Sequence, residues 1–188
     1  MQFESKILNG LERLTEALKS LIWEKAKEFG LSPIQIQILL FVSDHNKEIC
    51  NVSYLAKEFN ITKATISDAV RIMLKKELLE KDFSPMDNRR YNLMLTPKGK
   101  EHIGSLSGYA SPILEELGNF DEKELYTVFN FISKLIFKLN QRNIIQVQRM
   151  CFNCKHYSGD RQSDHYCKFL ESKLQKSEIR LDCNDFKE

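Results

Sequence analysis

Apolar positions fall into helical stripes along most of the chain and switch to a strand-like pattern only once. Ile7, Leu11, Leu14, Leu18, Leu21 and Ile22 recur at helical spacing, which predicts an amphipathic helix over 4–29 that ends at Gly30, with Gly10 weakening its first turns. Ser32-Pro33 is an N-cap followed by proline at the first helical position, so a second helix is expected through Val42, followed by a polar connector from Asp44 to Glu48. Asn51 or Ser53 is placed to cap a third helix with Leu55, Ala56 and Phe59 facing inward. Thr62 is placed to cap a fourth, in which Ile66, Ala69, Val70, Met73 and Leu74 mark one buried face.

The period then changes. Residues 79–83 and 90–95 read as two strands around the turn-rich Ser84-Pro85-Met86-Asp87-Asn88. Thr96-Pro97 opens another helix, which Gly104, Gly108 and Pro112 are expected to bend or break. Asp121 with Glu124 forms a capping box before a last long helix, with Leu125, Val128, Phe129, Ile132, Leu135, Ile136 and Leu139 on one side. The predicted class is mainly α with a small β-wing: a winged helix-turn-helix over about 51–100, flanked by two long helices and followed by a cysteine-rich tail. The expected division is a domain over 1–149 and a module over 150–188.

Charge sharpens this order. The chain of 188 residues carries a formal net charge of only +2, yet residues 51–100 hold ten Lys and Arg against six Asp and Glu. The positive block coincides with the wing and the two helices before it, as attraction to phosphate requires. No run of apolar residues is long enough to span a membrane, and the first residues lack the basic-then-apolar order of a secretion signal. A soluble, cytoplasmic protein is expected.

On the helix from Lys63 to Lys76, the face opposite the apolar stripe presents Ala64, Ser67, Asp68, Arg71 and Lys75, with Lys63 and Thr65 in the first turn. A helix fits the major groove, and small or hydroxylated residues at its start allow close approach to base edges. Arg71 is suited to a guanine or a phosphate, and Lys63 and Lys75 to phosphates. Asp68, repelled by phosphate, is expected to accept from a cytosine amino group or to orient Arg71. Arg89 and Arg90 lie at or beside the hairpin turn, where a guanidinium can enter a narrow minor groove. Asp87 is placed to hold Arg89 by a bidentate pair.

With Leu55-Ala56-Lys57-Glu58-Phe59, Thr62-Lys63-Ala64-Thr65-Ile66-Ser67, Asp87-Asn88-Arg89 and Leu95-Thr96-Pro97-Lys98-Gly99, the chain resembles the MarR family of winged-helix transcription regulators over roughly residues 3–148. The last two segments correspond to that family's D-x-R wing and L-T-x-x-G exit. The resemblance implies a homodimer joined through the terminal helices (about 4–29 and 121–145), a palindromic double-stranded DNA operator, Arg89 in the minor groove, and often release by a small-molecule effector or an oxidant. One departure is Glu77, where the family usually carries glycine. The dimer also has support from the pattern itself, since the two long helices carry more apolar surface than a small core covers.

Beyond the resemblance, Cys151, Cys154, Cys167 and Cys183 follow C-x2-C-x12-C-x15-C. Four thiolates complete a tetrahedral zinc shell, and zinc is the expected cofactor; an iron–sulfur cluster is the alternative, because such clusters take four cysteines at varied spacings. His156 and His165 are expected beside the site rather than as ligands. So short a segment has too few apolar residues for a core of its own, so it needs a metal or a surface to dock on. Cys50 reads as a small buried residue. No catalytic residue is expected. A thiol-redox enzyme using Cys151 and Cys154 lacks a βαβ context, and a metal-dependent protein-interaction module remains the other class.

Overall fold

In the computed structural model, which describes residues 2–84 and 87–187 with the side chains of residues 84 and 87–89 outside the description, the chain clusters into two compact units. Unit 1 comprises residues 1–55 and 62–119, and unit 2 comprises 56–61 and 120–188. These units do not follow the 149/150 boundary expected above, because the last long helix clusters with the cysteine segment, which has little apolar surface of its own.

Unit 1 begins with α1 (Phe3–Phe29), closed by Gly30 at φ +60° and by the Leu31 N–H to Ala26 carbonyl bond of 2.9 Å. Helix α2 (Pro33–Asp44) starts on Ser32, whose N–H donates to Gln35 Oε1 at 2.9 Å. It is apolar nearly all round and forms the centre of the unit, with Ile36, Ile38 and Leu39 fully buried. Helix α3 (Val52–Glu58) is capped by Asn51, whose Oδ1 accepts from the Tyr54 N–H at 3.0 Å, which decides between the two caps the sequence allowed. Helix α4 (Lys63–Lys75) is capped by Thr62, whose Oγ1 accepts from Thr65 N–H at 3.2 Å. Its buried face is Ile66, Ala69, Val70 and Met73.

Strands β1 (Leu79–Ser84) and β2 (Asp87–Leu95) pair antiparallel from Leu79↔Leu95 to Phe83↔Tyr91. They run further than the alternating apolar pattern, because the ladder also pairs Ser84 with Asp87, which composition assigned to the turn. Pro85 and Met86 lie outside the described residues. Helix α5 (Pro97–Ser107) gives way at Gly108 to a short 3-10 turn and then α6 (Ser111–Leu117), the break expected from its glycines and proline.

Unit 2 contains α7 (Glu122–Gln141), opened by the Asp121–Glu124 capping box. Its tail folds as a three-stranded antiparallel sheet in the order β3 (Tyr157–Gly159), β4 (His165–Cys167), β5 (Ser172–Lys173). The buried residues there are Met150, Ile179, His165 and Arg149. No helix among the described residues is long and apolar enough to cross a membrane.

Candidate nucleic-acid interface and cysteine cluster

The helix-turn-helix is built by two left-handed residues. Asn60 at φ +53° turns the chain after α3, with Ile61 N–H reaching back to Ala56 carbonyl at 3.0 Å. Glu77 at φ +59° ends α4, and Leu78 N–H reaches back to Met73 carbonyl at 3.0 Å. The backbone therefore keeps at Glu77 the conformation that glycine adopts freely. Thr96 Oγ1 donates to the Glu77 carbonyl at 2.6 Å and accepts from Gly99 N–H at 3.0 Å. A Cβ on Gly99 would lie 2.2 Å from the Leu78 carbonyl oxygen. The Leu95-Thr96-Pro97-Lys98-Gly99 segment is thus the clamp that fixes the exit of α4 against the start of α5.

With α4 held this way, Lys63, Ala64, Thr65, Ser67, Asp68, Arg71 and Lys75 are all exposed, as its periodicity required. Asp68 Oδ1 accepts from Arg71 Nη2 at 2.8 Å, so the carboxylate orients the guanidinium, one of its two expected roles. Arg90 is exposed on β2 and lines a shallow cavity with Glu48, Asn51 and Ser53. Arg89 belongs to β2, but its side chain and the expected Asp87 partner lie outside the description.

In unit 2, all four tail cysteines line one cavity of about 210 Å³ together with His156, Tyr157, Phe169, Leu170 and Leu174. Two backbone pieces carry the outer pair: Cys151 N–H donates to Arg180 carbonyl and Cys183 N–H to Arg149 carbonyl, each at 3.0 Å. Arg180 N–H points at Cys151 Sγ (3.2 Å) and Lys187 N–H at Cys154 Sγ (3.5 Å). Burial pushes the Cys151 thiol up; the Arg180 N–H opposes this, and the other three thiols add to the rise. Among the described residues, no group of three or more His, Cys, Asp and Glu side chains is arranged to hold a metal ion. His165 is buried with its Nδ1 bonded to the Tyr157 hydroxyl at 2.7 Å. His156 lines the cavity, and its Nε2 is buried without a hydrogen-bond partner. Cys50 is a buried thiol near the Asn46 carbonyl (3.4 Å), and the five cysteines form no disulfide.

Sequence reasoning passed over Arg149, which is 6% exposed and bonded to both Glu58 and Asp182. A signal was present: Arg149 stands two residues before Cys151, and Asp182 directly before Cys183.

Two helices joined by a tight turn, an exposed second helix and a two-stranded hairpin define a winged helix-turn-helix protein. The MarR family model matches residues 29–90, 62 of the 188 residues. The HTH-type transcriptional repressor YetL of Bacillus subtilis (strain 168) is 28% identical over 96 residues, 50% of this chain. The chain spans 58% of the length of that relative. Among solved structures, a MarR protein from Peptoclostridium difficile is 24% identical with a TM-score of 0.65, over 76% of this chain and 93% of that one. The MepR–DNA complex from S. aureus is 18% identical with a TM-score of 0.61, over 74% and 99%. These likenesses concern the fold.

Proposed function

We propose that the chain is a sequence-specific DNA-binding transcriptional regulator that works in the cytoplasm as a homodimer on a palindromic operator. The observation that carries this reading is the α4 surface, where a capped N-terminal turn and an exposed face of Lys63, Ala64, Thr65, Ser67, Asp68, Arg71 and Lys75 stand on a fully apolar base. That is a helix built to insert into a major groove. The repressor role of the Bacillus relative and the DNA-bound neighbour of the same fold support it. Phe3, Leu8, Leu14, Leu18 and Trp23 are exposed along α1, and Val128 and Phe131 along α7, which supports a second copy as the cover for these faces. Arg89 and Arg90 are proposed to enter the minor groove. The tail is proposed to bind a metal group through Cys151, Cys154, Cys167 and Cys183, zinc and an iron–sulfur cluster being the occupants that four thiolates admit. Binding selection from random duplexes tests the reading. A palindromic motif should be enriched, with affinity falling steeply as salt rises. No enriched motif, or an affinity indifferent to salt, contradicts it, and a monomer in sedimentation removes the two-fold part.

A further inference from the structure

The cysteine cavity is the feature of this chain that the winged helix does not use. A tetrahedral zinc ion draws each sulfur to about 2.3 Å of one point, which brings the sulfurs to about 3.8 Å of one another and leaves no interior space. The four tail cysteines instead share the lining of one open space. They stand around a cavity of about 210 Å³, and among the described residues no group of three or more His, Cys, Asp and Glu side chains is arranged to hold one ion.

A cubane cluster makes the opposite demand. Each of its irons takes a single cysteine thiolate and completes its shell with sulfides, so the protein must present four separated sulfurs around a shared volume. The walls match such an occupant. Tyr157, Phe169, Leu170 and Leu174 supply an apolar surround. The N–H groups of Arg180 and Lys187 aim at Cys151 and Cys154 Sγ, and Arg180 Nη1 lies 3.9 Å from Cys183 Sγ, so donors face sulfurs that carry negative charge once ligated. His156 lines the same cavity, and its Nε2 is buried without a hydrogen-bond partner.

We infer that Cys151, Cys154, Cys167 and Cys183 hold an iron–sulfur cluster of the cubane [4Fe–4S] type in place of a single metal ion. The inference rests on the metal-bound reading of the tail and deepens it; DNA binding does not enter the argument. Full-length protein purified without oxygen should be brown and carry about four irons and four acid-labile sulfides per chain. Cys167→Ser and Cys154→Ser should each lose the visible absorption and most of the sulfide, while circular dichroism still reports the helices of unit 1. Where a serine variant fails to fold, the metal and sulfide content of the wild-type chain decides alone. One zinc per chain with no sulfide overturns the cluster but keeps a metal-bound tail. A chain with neither metal nor sulfide, even after anaerobic reconstitution with ferrous iron and sulfide, overturns both.

Discussion

Arg149 reaches back across 91 residues to hold Glu58, with Nη1 to Oε2 at 2.6 Å and Nη2 to Oε1 at 3.1 Å. The same guanidinium grips Asp182 through Nε (2.6 Å) and Nη2 (2.9 Å), so one buried cation joins the last residue of α3 to the neighbour of Cys183. Its planar fork makes four such bonds to two carboxylates, more than the three donors of a lysine allow.

Removing one partner of such a pair strands the other charges in a partly buried place. Arg149→Met should destabilise the protein by about 2–4 kcal/mol, less than for fully buried pairs because Glu58 and Asp182 keep some access to water. Arg149→Lys should recover only part of the loss. The readout is the midpoint of denaturant unfolding, and a shift worth under about 0.5 kcal/mol would show that the bridge is dispensable.

Glu77 offers the reverse experiment. A non-glycine residue at φ +59° carries a penalty of about 1–2 kcal/mol, which glycine avoids. Its backbone bonds to Leu74 and Thr96 do not involve the side chain. Glu77→Gly should therefore raise stability by about 1 kcal/mol, or roughly 2–4 °C in Tm for a chain of this length. A fall in Tm would mean that the carboxylate contributes something its exposed position does not reveal.

These two residues show what the sequence disclosed and what it hid. The helices of unit 1 were legible because their stripes, caps and proline starts all agree, as at Ser32-Pro33 and Thr62. The exposed face of α4 followed from the same periodicity. The strand ends were hidden because pairing, not polarity, decides them, and Ser84 and Asp87 pair despite their turn-like chemistry. Glu77 stood out only as a departure from a family pattern, and its left-handed backbone explains the pattern. The partners of Arg149 could not be read, since they lie 91 and 33 residues away, and only its place two residues before Cys151 pointed to it. Four cysteines predicted a shared site, but spacing alone does not say how far apart their sulfurs stand.

Asp160 makes the tail hairpin sensitive to acid. Its carboxylate accepts the N–H groups of Asp164, Gln162 and Ser163 as well as the Ser163 hydroxyl, and these bonds hold it well below the usual carboxylate range. A group depressed in the folded state adds stability above its unfolded pKa of about 3.9 and loses it as pH falls through the folded value. Asp160→Ala should thus lower the Tm at neutral pH, with the gap to wild type narrowing progressively below about pH 4. A gap that stays constant down to the strongest acid tolerated would mean that ionisation is irrelevant there.

Asp68 and Arg71 test whether α4 reads DNA through an oriented arginine. The pair is exposed and one helical turn long, so it contributes little to stability. On the proposed DNA-binding reading its consequence lies in recognition: the carboxylate fixes the guanidinium but would also repel phosphate. Arg71→Ala should cost about 1–3 kcal/mol of specific binding if Arg71 contacts a base. Asp68→Asn should do something different. Removing the repulsion should tighten binding to unrelated duplexes, while the unanchored arginine discriminates less, so the ratio of specific to nonspecific affinity falls. Lys63→Ala should weaken all sequences alike and reduce the salt slope by about 1, the mark of a phosphate contact. Fluorescence anisotropy on the selected operator and on a scrambled duplex, at several salt concentrations, separates the three patterns. If Arg71→Ala weakened both duplexes equally, Arg71 would be a phosphate contact like Lys63. If Asp68→Asn left the ratio unchanged, the 2.8 Å pair would have no part in reading sequence.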